Sequence, residues 1–457
     1  MNNLYAGFAR TNINPMMGIG ISGYFIVRKA EAILDDLEIN AVAVKCGDDA
    51  AVMLSVDLLY VETFIAEECK AKIAKRLGIS EDAVFLHATH THTGPYLDPN
   101  CKLAKNFNEE EVALIAEYQR FFVRRAVDVA EAAFKDLKPA KMGYAVGKAS
   151  NIAFIRRFWM KDGTVKTNPG VNNPDIVAPV GELDESVNVV RFDRDGANSI
   201  ALVNFGNHPD VVGGCKISAD WPGFFRRTLE KVLDGVSAVM FNGAQGDVNH
   251  VNVHPAPGYL NDTFNDFDDV SRGYYHSRYM GRVLAGSVLQ VWDKVNYVDV
   301  DSIKYAQRTA NVPSNMPRPE DMPEAHRINN LHNEGRDAEL PYQGMMLTTV
   351  VAEAGRMVRL EHGPEFFPMT FTALSIGNIA FFGIPGEPFN GIGRGVKESE
   401  GWDLIVPCCL TNGAEGYFPM KDAYEQGGYE ARSSHFKEGV AEFIIEQGKE
   451  MLADLRK

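Results

Sequence analysis

Three of the chain's eleven histidines fall within six residues, in His87-Ala88-Thr89-His90-Thr91-His92. In an extended segment residues i and i+2 face the same side, so His90 and His92 are expected to enter one pocket. Imidazole is the commonest protein ligand of zinc, and a His-x-His pair at a strand end offers two nitrogens to one ion. The same pair would also serve as a polar, solvated strand end. His208 occupies a matching place in Phe205-Gly206-Asn207-His208-Pro209, again just after an apolar run. Asp220, in Ser218-Ala219-Asp220-Trp221-Pro222-Gly223, opens a helix-like stretch. It reads either as an N-cap or as a carboxylate partner of a ligand histidine. Glu387 follows the apolar run Phe381-Phe382-Gly383-Ile384-Pro385. A carboxylate there either complements a helix N-terminus or, being costly to bury alone, meets a metal. The stretch from Tyr417 to Tyr429 holds three tyrosines, for which packing is the default reading.

These residues need a scaffold. Apolar runs at 50–60 and 83–89 read as strands, and amphipathic stretches at 65–77 and 109–137 as helices. Further strand-like runs cover 199–205, 238–241, 373–377, 379–384 and 404–410, and 435–456 reads as a closing helix. Strands alternating with helices favour an α/β class with a layered, mixed sheet. Five apolar runs end directly in Gly-rich polar clusters: FLHATHTHTGP, VNFGNHP, MFNGAQGDVNH, FFGIPGEPF and CCLTNGAEGYFP. Ligands of α/β sheets bind at the carboxyl ends of strands, so these junctions are expected to build one composite site. Two polar, irregular stretches, near 252–273 and 312–343, read as long loop insertions in an otherwise single catalytic domain spanning 1–457.

The formal net charge is 46 − 61 = −15 over 457 residues, with 45% hydrophobic and 23% charged residues. An acidic chain with no basic tract is a poor partner for nucleic acid or an anionic membrane surface. No apolar window is long enough to span a bilayer, so no membrane insertion is expected. The six cysteines form no CxxC pair and include adjacent Cys408 and Cys409. With an N-terminus that lacks the charged and apolar regions of a signal peptide, this favours a reduced, cytoplasmic setting. The expected partner is a small-molecule substrate. Pairing into a homodimer is common for soluble enzymes of this size.

Taken in order, ATHTHTGP, FGNHP, the helix entry at Asp220, NGAQGDVN, GEPF and GYFPMKDAYEQGGYEARSSHF resemble the neutral/alkaline, non-lysosomal ceramidase family. The resemblance runs from near Tyr5 to about Phe436. It implies a zinc (Zn2+) amidase that splits the N-acyl bond of ceramide into sphingosine and a fatty acid. Carried over by motif, it implies His90, His208, Glu387 and Tyr417 as the metal ligands. It implies His92 as a catalytic histidine beside the metal and Tyr429 as a second active-site tyrosine. Arg156, or its neighbour Arg157, is implied as the group that meets the acyl carbonyl or product carboxylate. Asp220 is counted with the catalytic set as the carboxylate behind a ligand histidine.

Two departures shape the expectation. Gly243 stands where the family's SNxGDxSPN-like element carries an active-site serine, and the family's C-terminal immunoglobulin-like domain is expected to be absent. The expected activity is therefore zinc-dependent hydrolysis of an amide (N-acyl) or ester bond by activated water, without ceramide itself being implied. An enzyme opening a lactone or acting on a sugar-derived polar substrate at the same metal site is one alternative, to which the Asp-, Asn- and aromatic-rich stretch 252–275 is suited. A non-catalytic binding protein is another.

Overall fold

The computed structural model describes residues 4–101, 106–256 and 273–457. Its main sheet is mixed, in the order Val236–Asn242, Ser199–Phe205, Ser186–Arg194, Lys138–Lys148, Leu4–Asn12, Glu38–Cys46, Asp49–Val56 and Val84–Ala88. The two terminal pairs of that order are parallel, and the pairings between them are antiparallel. A second sheet orders Ile303–Pro313, Phe366–Ile376, Ile379–Gly383 and Leu404–Cys408, again with its last pair parallel.

Alternation along the strands sets the layers. Val52, Leu54 and Leu86 face the helices Thr63–Leu77 and Glu109–Lys135, packing on Ile65, Ile73, Tyr118 and Phe122. Their neighbours Met53 and Phe85 point the other way, onto Leu374 and Phe381 of the second sheet. The far face of that sheet, through Phe371 and Phe382, is covered by the closing helix Val440–Leu455. The helices Asp220–Val232 and Tyr274–Trp292 bury Trp221, Phe225, Leu284 and Val288 against the other end of the main sheet. The result is a layered α/β molecule with two β layers at its centre, as the strand–helix rhythm implies.

Most of the expected strands and helices fall within a few residues of their observed bounds, but the strand expected at 373–377 begins at Phe366 and the closing helix expected from 435 begins at Val440. The stretch 312–343 differs. It is not an irregular loop throughout, since Met322–Asn333 is a helix that packs Ala325 and Ile328 against Val351 and Ala354 of the helix Gly344–Leu360. Its apolar residues are sparse enough to read as polar in sequence, yet they share one face. The other insertion, near 252–273, lies largely outside the described residues.

Candidate metal centre

The three parallel pairs of the two sheets described above point their carboxyl ends at one place. His90 lies two residues beyond Val84–Ala88, His208 three beyond Ser199–Phe205, and Glu387 four beyond Ile379–Gly383. Tyr417 follows Leu404–Cys408 and is the direct ladder partner of Glu387 in a short parallel pairing. That pairing needs a glycine, because a Cβ on Gly386 would stand 2.5 Å from the Gly416 carbonyl oxygen.

His90 and His92 do converge, with Nε2 atoms 3.3 Å apart, but not by strand alternation. The strand stops at Ala88, and His90 has a left-handed backbone, φ +80°. A non-glycine residue held there costs on the order of 1–2 kcal/mol and marks a conformation fixed by its surroundings. His87, the third histidine of the cluster, is excluded from the site. Its Nδ1–H donates to the Cys409 carbonyl at 2.7 Å, and its Nε2 accepts the Asn242 N–H at 2.8 Å. It stitches together the ends of three strands, and burial pushes its pKa down to about 3.

Asn242, unnoticed in the sequence, sets both remaining strand ends. Its Nδ2 donates to the carbonyls of Thr89 and Asn207, each immediately before a site histidine, at 3.0 Å. Its Oδ1 accepts the Asn207 N–H at 3.1 Å.

Carbonyl acceptors fix the two ligand-type imidazoles. His90 Nδ1 lies 2.7 Å from the Leu59 carbonyl, and His208 Nδ1 lies 2.9 Å from that of Gln245. With Nδ1 donating, each Nε2 presents a lone pair inward. Those lone pairs face the same Glu387 oxygen at 3.2 and 3.1 Å, and the Tyr417 hydroxyl is 3.4 Å from His208 Nε2. Burial alone would raise the Glu387 carboxyl, and only positive charge facing it, on the imidazoles or on an ion between them, reverses this and holds it well below the usual range. Burial, and then the Arg156 charge, lower His208. Acceptors converging on acceptors in a buried place call for a cation. Zinc–ligand bonds of about 2.0–2.1 Å in a tetrahedron separate the donor atoms by roughly 3.3 Å, which these spacings match.

His90, His92 and His208 also form a group whose ligand nitrogens all lie within 4.8 Å of one another. His92 differs from the other two, for among the described residues its buried Nδ1 has no hydrogen-bond partner to set the ring. Its main chain is held by Arg28, which donates to the His92 carbonyl at 2.7 Å. Burial, and then His90, push its pKa well below the ordinary value, so it is neutral.

The two arginines are now distinguished. Arg157 donates to Gln426 and Gly427, away from the ligands. Arg156 lies over Tyr417, its guanidinium carbon 5.5 Å from the ring centroid, with its charge beside the phenol. It also donates to Glu430 at 2.6 Å and to the Gly246 carbonyl at 2.7 Å. Its Nε and one terminal nitrogen are thus held by the protein. Tyr429 packs edge-on against Tyr417, with centroids 5.5 Å apart.

Asp220 is neither N-cap nor partner of an imidazole. It is the first residue of its helix, with φ +54°, and its carboxylate accepts from Val211 N, Val212 N and Ser277 Oγ at 2.9, 2.9 and 2.7 Å. It clamps the loop after His208, and burial pushes its pKa up to about 6. Gly243 faces the backbone and not the ligands, since a Cβ there would lie 3.1 Å from Gly206 N.

No protein-family model matches the chain. No curated protein matches it either. Among solved structures, the crystal structure of neutral ceramidase from Pseudomonas aeruginosa is similar with a TM-score of 0.72 and 19% identity, covering 100% of this chain and 75% of that one. A ceramidase complexed with C2 gives a TM-score of 0.72 at 17% identity, over 100% and 76% of the two chains. The chain has the fold of the neutral ceramidase structures.

Proposed function

We propose that the chain is a zinc-dependent hydrolase of N-acyl amide or ester bonds, with His90, His208, Glu387 and Tyr417 as ligands. The observation that carries this reading is the pair of carbonyl-fixed imidazoles aimed at one Glu387 oxygen, with the Tyr417 hydroxyl 3.4 Å from His208 Nε2. The likeness to ceramidase structures supports an amide as the bond cleaved. Zinc bound there would supply Lewis acidity, polarising a carbonyl and lowering the pKa of water from 15.7 to about 7.

The chain's own groups account for the rest. Water adding to an acyl carbon loses a proton, and the departing nitrogen or oxygen gains one. His92, neutral and at the rim of the ligand set, is the group that moves it, a contribution typically worth about 10²–10⁴-fold. Tyr429, a phenol that burial raises above its ordinary range, keeps its proton and donates a hydrogen bond to the carbonyl oxygen as charge develops. Arg156 is a positioning residue, packing over the Tyr417 ring while Glu430 holds Arg156. Gly243 plays no part, and the scheme needs no serine.

The test is elemental analysis and hydrolysis of N-acyl p-nitroanilides on the same preparations. Near-stoichiometric zinc, lost in His90→Ala, His208→Ala and Glu387→Ala together with activity, is the expected result. Protein that stays metal-free after zinc is offered would overturn the reading.

A further inference from the structure

A cavity of about 260 Å³ opens beside the ligands and includes His90, His92, Glu387 and Tyr417 in its walls. Pockets that enclose drug-sized ligands run from about 300 to 1,000 Å³, so this one is compact. Away from the ligands its walls are mostly aromatic: Tyr24, Phe25, Tyr60, Tyr96 and Tyr429, with Leu59 the one aliphatic side chain among the described lining residues. A slot for an extended alkyl chain would be walled by aliphatic groups, whereas phenols offer ring faces together with hydroxyls. Burial, reinforced by the charge of Glu62, pushes the Tyr60 hydroxyl well above its ordinary range, and burial raises Tyr96 as well. Both therefore remain neutral hydrogen-bonding groups.

Charge sharpens the picture. Among the described lining residues there is no lysine or arginine, and Glu387 is a carboxylate. The two buried arginines nearby in the fold are engaged elsewhere. Arg28 lies 4.1 Å over the Tyr24 ring and donates to main-chain carbonyls, and Arg156 is held by Glu430 and the Gly246 carbonyl. Away from the ion itself, an anionic group brought into this cavity would meet Glu387 and neutral phenols, with no lysine or arginine among the described lining residues to offset its desolvation.

We propose that the substrate group lodged beside the ligands is a compact, uncharged ring bearing hydroxyl groups, not an anion and not an extended alkyl chain. This rests on the hydrolase reading of the metal centre and names its substrate class. A site built to hydrogen-bond a hydroxyl discriminates strongly against analogues without one, because its own polar groups are then left unpaired.

The test uses the zinc-loaded protein and three amides: 4-hydroxyphenylacetamide, 4-sulfophenylacetamide and octanamide. Calorimetric titration is expected to show the hydroxylated ring binding at least about tenfold more tightly than either of the others. Tyr96→Leu should erase most of that margin. Equal or tighter binding of the sulfonate or the alkyl amide, or no binding of the hydroxylated ring, overturns the proposal without reference to any variant. The same three acyl groups as p-nitroanilides separate it from the hydrolase reading. Ring-selective binding without cleavage would sink the hydrolase reading alone. Cleavage that prefers the sulfonated or alkyl substrate would sink the ring proposal alone.

Discussion

Arg156 donates its Nε–H to Glu430 Oε1 at 2.6 Å, and neither side chain is more than 6% exposed. Thr167 adds a hydroxyl to the other Glu430 oxygen at 3.0 Å. Removing one partner of such a pair leaves a buried charge without compensation, typically at about 3–5 kcal/mol. Glu430→Gln is expected to lose stability of that order in urea unfolding, and zinc affinity with it as Tyr417 loses its support. A loss below about 1 kcal/mol would show that Arg156 finds another partner.

Asn242→Ala should weaken zinc binding without touching a ligand, since Asn242 fixes the residues before both His90 and His208. Groups that orient metal ligands are typically worth about 10–100-fold in affinity. Competition with a chromogenic chelator measures this, and unchanged affinity would mean that the loops hold themselves.

His92 separates the two ligand sets. For His92→Ala the expected outcome is unchanged zinc content with kcat lower by about 10²–10⁴-fold. Zinc lost to the same degree as in His90→Ala would establish the three-histidine set instead.

Gly243→Ser is expected to restore nothing. The new Cβ would meet the Gly206 backbone at 3.1 Å, and Gly206 is itself pressed against Ala244, where a Cβ of its own would stand 2.7 Å from the carbonyl oxygen. Forcing atoms into such packing typically costs about 1–3 kcal/mol. A lower melting temperature with no gain in hydrolysis is the predicted result; a gain in rate would mean that the serine position faces the substrate after all.

Acid should weaken the metal-free fold through His87. Its folded pKa of about 3 lies below the ordinary value of 6.5, so between those limits the unfolded chain takes up a proton that the folded one refuses. Stability therefore falls as the pH drops from about 6.5 towards 3, by up to about 1.4 kcal/mol per unit from this residue. In unfolding measured across that range, His87→Gln should start less stable and show the shallower slope. An unchanged slope would place the sensitivity in other groups.

Much of this centre was legible in the sequence. The strand ends were marked by apolar runs meeting Gly-rich polar clusters, and that signal located His90, His208 and Glu387. What sequence could not supply was conformation and partnership. The left-handed turn at His90 defeats the alternation rule that brought His90 and His92 together on paper. The Glu430 carboxylate, adjacent to Tyr429, has no local pattern linking it to Arg156 far earlier in the chain. Asn242 was visible inside MFNGAQGDVNH but carries no charge, so nothing flagged it. The antiparallel strands Leu4–Asn12, Lys138–Lys148 and Ser186–Arg194 mix polar and apolar residues and give weaker signals than the buried parallel pairs.

The donors belong to the ends of three parallel pairs in two sheets, far apart along the chain. One ion gripping them would act as a cross-link between the two β layers. A ligand that binds only the folded state adds stability with concentration, about 4.1 kcal/mol at a thousand times its dissociation constant. Zinc supply would then govern how long the protein survives as well as how fast it works. Under metal starvation the layers would be joined only by packing and by hydrogen bonds such as those of His87 and Asn204, leaving the chain more open to proteolysis.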